Sequence, residues 1–484
     1  NTSVSKTLGK AEIIEREIDE NASEIEGLEQ VLTLKNLPSN INQIKLKIDA
    51  GTLSKSDGTD RTIESEIMIY NTLRLSIENA INKVYPEDKF LNNEKIERQN
   101  IENVTFVSDL STMIDTTSWD VSAQQDKSIM AWYTKNSNNI YKIYIGSDDE
   151  IYANTYSALL FAYIGHNENC KATEAITNIK LLNTTQVTSM WGMFYGCRTL
   201  TSLKLEGNFD TSKVINMDSM FKACSNLTEL KLGNNFNTSQ TIRMYNMFED
   251  CASLTSLDLG KNFDTSKVTG MEAMFKNCSK LTELKLGNKF NTSNVKTIGC
   301  LFYNCSSLTS LDLGENFDTS QVTDAWGMFS GCTSLKNLSL GKNFDTSNVI
   351  NMDSMFKNCS KLTELNLREK FSTNKVKSMS NMFQNCASLT SLNLGNNFNT
   401  SNVTSMVYMF AGCASLTNLN LGSNFDTSKT IGMRDMFQNC ASLTSLNLGS
   451  KFNTSQVTTM SNMFQNCSSL KSLNLGNNFD TRTT

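Results

Sequence analysis

The chain has 484 residues and a net charge of −5; residues 1–110 carry 20 Asp/Glu against 13 Lys/Arg, and the remainder carries 29 against 31. So even a balance over residues 111–484 excludes the basic footprint that nucleic acid requires. No apolar run is long enough to cross a membrane as a helix.

Asn1 stands first where a start methionine would be, which suits a removed leader and export. In residues 1–110, Ile14, Ile18, Ile25, Leu28 and Leu32 recur at a 3–4 spacing with acids between them. That pattern predicts a short coiled-coil stretch. A second stripe, Ile63, Ile67, Tyr70, Ile77, Ile81 and Val84, predicts a helix over 62–84, with a turn-rich loop over 37–60 between the two. The expectation for 1–110 is a helical region, either a hairpin packed on itself or an oligomerising stalk. Residues 111–182, with strand-forming "IYKIYIG" and "EIYAN", are expected to cap the array that follows.

From 183 to 479 the chain repeats one 27-residue unit eleven times, with the template D/N-T-S-x-V-x-x-M-x-x-M-F-x-x-C-x-x-L-T-x-L-x-L-G-x-x-F. A period of that length implies a solenoid, because one coil cannot bury its apolar side alone. "LTSLDL" at 254–259 alternates, so Leu257 and Leu259 face inward from a short strand. "MEAMFKNC" at 271–278 places Met271, Met274, Phe275 and Cys278 at helical spacing and predicts two turns of α- or 3₁₀-helix. The Asp/Asn-Thr-Ser that follows Phe is turn chemistry. The Phe, Met, Leu and Cys columns are core. Eleven of the thirteen cysteines sit one per unit, which reads as a small buried hydrophobe. Cys170 fits the spacing but not the surrounding pattern.

"MF-x-x-C-x-x-L-T-x-L-x-L" followed by "NFDTS-x-V-T-x-M" resembles the BspA-like leucine-rich repeats of bacterial surface proteins, over about 300 residues. The stretch 128–154 is similar to the segment that precedes such arrays. The resemblance implies an α/β solenoid: a leucine-rich-repeat array with a parallel β-sheet, here preceded by the helical N-terminal region. It implies display on a cell surface, engagement in adhesion, and no catalytic residues.

The chemistry agrees. His166 is the single histidine, and no HExxH, GxSxG, GxxxxGK[ST] or CxxC motif occurs, so no enzyme activity, cofactor or metal is assigned. The Asp/Asn column headed by Asp210 reads as turn-forming rather than calcium-binding, since calcium wants six or more oxygens. A Thr column (Thr211, Thr238, Thr265 and onward) offers a regular ladder for ordering water, a reading set against local backbone bonding. On the strand's solvent side, Asn366, Asn393, Asn420, Asn447 and Asn474 are expected to bond as a stacked amide ladder.

Three columns vary between units and hold Trp191, Tyr195, Tyr245, Tyr303, Trp326 and Tyr408. These are the candidate partner-binding residues, because interfaces favour Tyr and Trp. Replacing Trp191 and Trp326 by Ser is expected to weaken binding and leave unfolding unchanged. The function expected is a non-enzymatic, adhesin-like display protein outside the cell, binding a protein or other cell-surface macromolecule. The alternative is a structural or receptor-binding subunit of a filament, appendage or phage tail fibre. A second copy joined through the N-terminal helices or the last coil, which has no polar closing element, is a further partner.

Overall fold

The computed structural model describes residues 85–171 and 174–482, and four short strands nearer the N-terminus. Glu12–Ile13 pairs antiparallel with Leu34–Lys35, and Ile44–Lys47 with Glu64–Ile67. The helix predicted over 62–84 is therefore overturned at Glu64–Ile67. The register sets Lys45 opposite Glu66 and Lys47 opposite Glu64. The strand Ile44–Lys47 also overturns part of the turn-rich loop expected over 37–60, where the alternation in "IKLK" is the period-two signal for it. The remainder of both helical stretches, including the coiled-coil pattern after Ile13, lies outside the described residues. No α-helix occurs among the described residues; three 3₁₀ turns do, Arg98–Asn100, Asp115–Thr117 and Ile179–Leu181.

The cap is a five-stranded mixed sheet in the order Ile176–Thr177, Ile101–Val107, Tyr141–Gly146, Met130–Lys135, Trp119–Asp120. Ile101–Val107 carries a register shift between Ile101 and Asn103, and Ile101, Val104 and Phe106 are fully buried. This strand precedes residue 111, so the last part of the supposed helical region folds with the cap.

From the cap the chain enters the coils. The repeat strands join in five parallel two-stranded pairs, each between equivalents 27 residues apart, as in Ser256↔Glu283, Leu257↔Leu284 and Asp258↔Lys285, and no strand is assigned at 364–366. Leu257 and Leu259 are buried and Ser256 and Asp258 exposed, as the alternation predicts. A second ladder of single parallel bridges runs along the opposite side of the coils, from Tyr156↔Ser189 to Gly432↔Thr459.

The helix expected at 271–278 does not form. The N–H groups of Ala273, Phe275 and Asn277 donate to the carbonyls of Gly299, Leu301 and Tyr303 in the next coil, at 2.9, 3.0 and 2.7 Å. The alternate groups close tight turns, Met274 to Met271, Lys276 to Ala273 and Cys278 to Phe275. Ala273 and Asn277 have φ of 55° and 60°. A right-handed helix contains no such residues. The 3–4 spacing was real, but the inter-coil partners that outcompete an i→i−4 bond are supplied by stacking. The column before Cys carries the local signal for this geometry: Gly196, Asp250, Asn277, Asn304, Gly331, Asn358, Asn385, Gly412, Asn439 and Asn466, with Ala223 the exception. Gly, Asn and Asp are the residues that tolerate a left-handed backbone.

Two aromatic stacks fill the core. Phe194 to Phe464 stack coil on coil with centroids 5.4–5.7 Å apart. Phe236 to Phe479 stack at 6.1–6.5 Å. The Thr column is buried and orders the chain rather than water. Thr265 Oγ1 donates to the Asn291 carbonyl at 2.6 Å and accepts the Asn291 N–H at 2.7 Å. The Asp/Asn column makes the turns, Asp210 Oδ1 accepting from the Ser212 N–H at 2.7 Å. The strand-side asparagines do not form the expected ladder through their oxygens. Asn393, Asn420, Asn447 and Asn474 each turn Oδ1 back to the N–H of the glycine two residues on.

All thirteen cysteines are free. Each repeat thiol donates to the carbonyl of the Phe in the preceding coil, for example Cys278 Sγ to Phe248 O at 3.2 Å. Burial pushes the Cys278, Cys332 and Cys386 thiols up to about 12. Unfolded thiols ionise near ~8.5. The folded coils hold their protons above that value, so the thiols' contribution is intact below about pH 8.5 and is lost as pH rises toward the folded value. Urea midpoints should therefore fall between pH 8 and pH 10, settings chosen to straddle the unfolded value of ~8.5. Alkylation of the native protein should reach half-buried Cys467 first. Fast, even labelling of all repeat thiols would overturn this reading.

One coil precedes the eleven. Leu159, Phe161 and Tyr163 donate to the carbonyls of Trp191, Met193 and Tyr195 at 2.8, 2.8 and 2.7 Å, as the equivalent groups of the later coils do up to the last but one. Leu159 and Tyr163 have φ of 58° and 64°, matching Gly192 and Gly196. Phe161 heads the first aromatic stack, 5.5 Å from Phe194, and Cys197 Sγ donates to its carbonyl. The coil was hidden because Ser157, Leu160 and Ile164 stand where the template has Met, Met and Cys, out of the 27-residue register. Cys170 is not its core cysteine; its Sγ donates to Gln99 O.

Candidate partner-binding face

The turn side of the coils carries the six candidate residues, and the structure groups them unequally. Trp191 and Tyr195 pack with Leu159, Ala162 and Tyr163 over the seam between the hidden coil and the first repeat. Tyr195 meets Tyr163 edge-on at 5.3 Å, and burial is the largest influence raising the Tyr163 hydroxyl, to about 12. His166 lies at the same seam, donating through Nδ1 to Gly196 O at 3.2 Å and touching the Tyr163 ring. Burial is the largest influence on it and lowers its pKa.

Two units on, the Tyr245 ring covers Gly270, where an added Cβ would fall 2.1 Å from the ring. The Arg243 guanidinium lies 5.6 Å from the Tyr245 centroid and bonds Asp218 Oδ2 at 2.7 Å, while Asp218 Oδ1 accepts the Tyr245 N–H. Burial raises the Asp218 carboxyl and the arginine opposes that shift. Tyr303 and Trp326, on adjacent coils, stack at 6.3 Å, and Trp326 is 42% exposed. Tyr408 occupies a left-handed position, φ 59°, with Arg434 over its ring at 5.9 Å.

Four exposed residues escaped the sequence reading: Ile215, Ile242, Ile350 and Ile431, at 43%, 41%, 43% and 50% exposure. They share the column after the buried Val/Thr, which in other coils reads Thr188, Thr269, Lys296, Thr323, Lys377, Thr404 and Thr458. Comparing units within the chain would have found them. They fall on the same or adjacent coils as the aromatics: Ile215 and Ile242 with Tyr245, Ile350 with Tyr303 and Trp326 nearby, and Ile431 with Tyr408. Thr269 and Lys377 stand in the coils between them.

Among the described residues, no group of three His, Cys, Asp or Glu side chains is placed to hold a metal ion, and no helix is long and apolar enough to cross a membrane.

The model of the family described as "Mycoplasma protein of unknown function, DUF285" matches five overlapping stretches, 166–283, 232–336, 257–364, 311–416 and 392–483, together more than half of the chain. The chain belongs to this family. The DUF285 match tiles the coils as the repeat itself does, and the resemblance to BspA-like repeats stands. No curated protein matches. Three solved structures are similar. A T. pallidum leucine-rich repeat protein is 19% identical, with a TM-score of 0.26, over 48% of this chain and 86% of that one. One from Eubacterium ventriosum is 14% identical, with a TM-score of 0.33, over 69% and 78%. A leucine-rich cell surface protein from Faecalibacterium prausnitzii is 15% identical, with a TM-score of 0.31, over 74% and 94%. The solenoid assignment of the DUF285 array rests on its own register rather than on superpositions this loose.

Proposed function

We propose that this chain is a non-enzymatic, adhesin-like display protein whose turn side holds a protein or other cell-surface macromolecule outside the cell. One observation carries the reading: Ile215, Ile242, Trp326, Ile350 and Ile431 are exposed in columns where other coils carry Thr, Lys, Gly, Asp, Glu or Ser. The fold does not demand apolar residues there, and clustered exposed apolar groups mark interaction sites. Trp and Tyr supply contact area at little entropic cost.

Trp326→Ser with Ile350→Thr should lower attachment of the protein to target cells by about tenfold, the scale of a modest interface hot spot, with the unfolding temperature nearly unchanged. Trp191→Ser should instead lower the unfolding temperature, because Trp191 belongs to the packed seam. Undiminished attachment of the double variant would remove the proposal. Loss of self-association in that variant would redirect it to a second copy as partner.

A further inference from the structure

The column before each repeat cysteine is an amide ladder on the coil surface. Asn277 Nδ2 donates to Asp250 Oδ1 at 2.8 Å and Asn304 Nδ2 to Asn277 Oδ1 at 3.0 Å. Further on, Asn385 donates to Asn358 at 2.9 Å and Asn466 to Asn439 at 2.8 Å. Every rung donates toward the N-terminus. Gly331 and Gly412 interrupt the series, three units apart.

At Gly331 the interruption leaves a matched pair of loose ends. Asn304 Oδ1 receives no hydrogen bond, and Asn358 Nδ2 makes none, among the described residues. Asn304 Oδ1 leans into the missing rung, 2.0 Å from where a Gly331 Cβ would be. Gly412 repeats this with Asn385 Oδ1 at 2.2 Å. The backbone does not require glycine: φ is 78° at Gly331, but 55° and 59° at Asn304 and Asn358, which hold the same left-handed turn. The gap opens into a groove of about 710 Å³ lined by Asp250, Asn277, Asn304, Asn358 and a row of small residues including Ser306 and Thr333. Ser306 and Thr333 spend their hydroxyl protons on carbonyls of the preceding coil, so their oxygens remain free to accept.

We propose that the gap at Gly331, and its copy at Gly412, each bind one amide group that completes the ladder. The flanking amides are two coils apart, about 10 Å at the usual strand spacing, which leaves room for one rung. The occupant must donate an N–H to Asn304 Oδ1 and accept at its carbonyl from Asn358 Nδ2. A primary carboxamide does this, and so does a trans secondary amide such as an N-acetyl group. A carboxylate offers no donor, and an ammonium no acceptor. The site is independent of the apolar face, although Tyr303 of the aromatic pair directly precedes Asn304.

The test is an NMR titration of the full chain, following the side-chain amide signals of Asn304, Asn358, Asn385 and Asn439. The probes are N,N′-diacetylchitobiose, its deacetylated counterpart, and N-acetyl-asparaginamide. The acetylated sugar, the asparagine amide, or both should shift these signals, and the deacetylated sugar should not. Which of the two binds tells a sugar source from a peptide source. Gly331→Asn with Gly412→Asn restores the ladder and should lower affinity about tenfold or more by removing both gaps, without lowering the unfolding temperature. If that variant folds poorly, Asn358→Asp, which removes the donor at a surface position, should abolish the shift at the first gap. Shifts absent with every amide probe, shifts equal for the deacetylated sugar, or binding unchanged in the refilled ladder would each leave the gaps as water-filled interruptions and overturn the proposal.

Discussion

Phe302→Ala should destabilise the array by about 3–5 kcal/mol, the usual cost of emptying a large buried aromatic site. Phe302 is fully buried and lies between Phe275 at 5.6 Å and Phe329 at 5.7 Å, nearly parallel to both. Its backbone N–H and carbonyl are also tied to neighbouring coils, through Met328 O and Cys332 Sγ. The cavity therefore opens at a junction between coils, and each coil is stabilised chiefly by its neighbours. Urea unfolding should separate into two transitions as coils on either side lose their coupling. Phe464→Ala should cost markedly less, because Phe464 is half-buried and stacks only on Phe437 within its column. A single sharp transition shifted by less than about 1 kcal/mol would show that the stack contributes little beyond filler.

Arg98→Leu should loosen the cap from the coils at a cost of about 2–3 kcal/mol, the scale of losing hydrogen bonds from a charged donor and leaving buried carbonyls unsatisfied. Arg98 is only 2% exposed. Its Nη1 donates to the carbonyls of Leu159 at 3.0 Å, Leu160 at 3.1 Å and Ala162 at 3.3 Å, and its guanidinium lies 5.5 Å from the Phe90 ring centroid. These carbonyls belong to the hidden first coil, which has no preceding repeat to supply donors. Arginine stands in for that missing coil, and leucine leaves the carbonyls without it. Limited proteolysis should then cut within residues 151–170, and dye binding to exposed apolar surface should rise. Arg98→Lys should fall between, since an ammonium reaches fewer of the three oxygens at once. Unfolding and proteolysis indistinguishable from the parent would show that the cap is held by its sheet alone.

The apolar alternation of the strands, the Asx turn after Phe and the burial of the repeat cysteines, all but half-buried Cys467, were legible in the sequence. Each rests on a short-range rule: period-two patterning, a side chain bonding its own backbone, a small hydrophobe at a fixed place. The segment 271–278 was misread for the opposite reason. Its spacing suits a helix, but the decisive hydrogen bonds reach Gly299, Leu301 and Tyr303, and no local rule contains them. The coil at 157–164 was missed because its shape is held by backbone pairing and one Phe, while its other core positions changed residue type. The candidate face was half legible. Trp326 lies on the surface as the sequence reading has it, whereas Trp191 has identical local sequence logic and sits in a packed seam only because the hidden first coil brings Leu159 and Ala162 to it.

By itself, the sequence determined that this chain is a solenoid of 27-residue coils with Phe, Met, Leu and Cys inside, because an apolar side repeated at one period can be buried only by stacking. Only the tertiary structure decided what the turn side of each coil became, where the first coil lies, which amides complete one another and which aromatics meet solvent. Those outcomes depend on hydrogen-bond partners and neighbours a full coil away, and residue spacing within one unit carries no record of them.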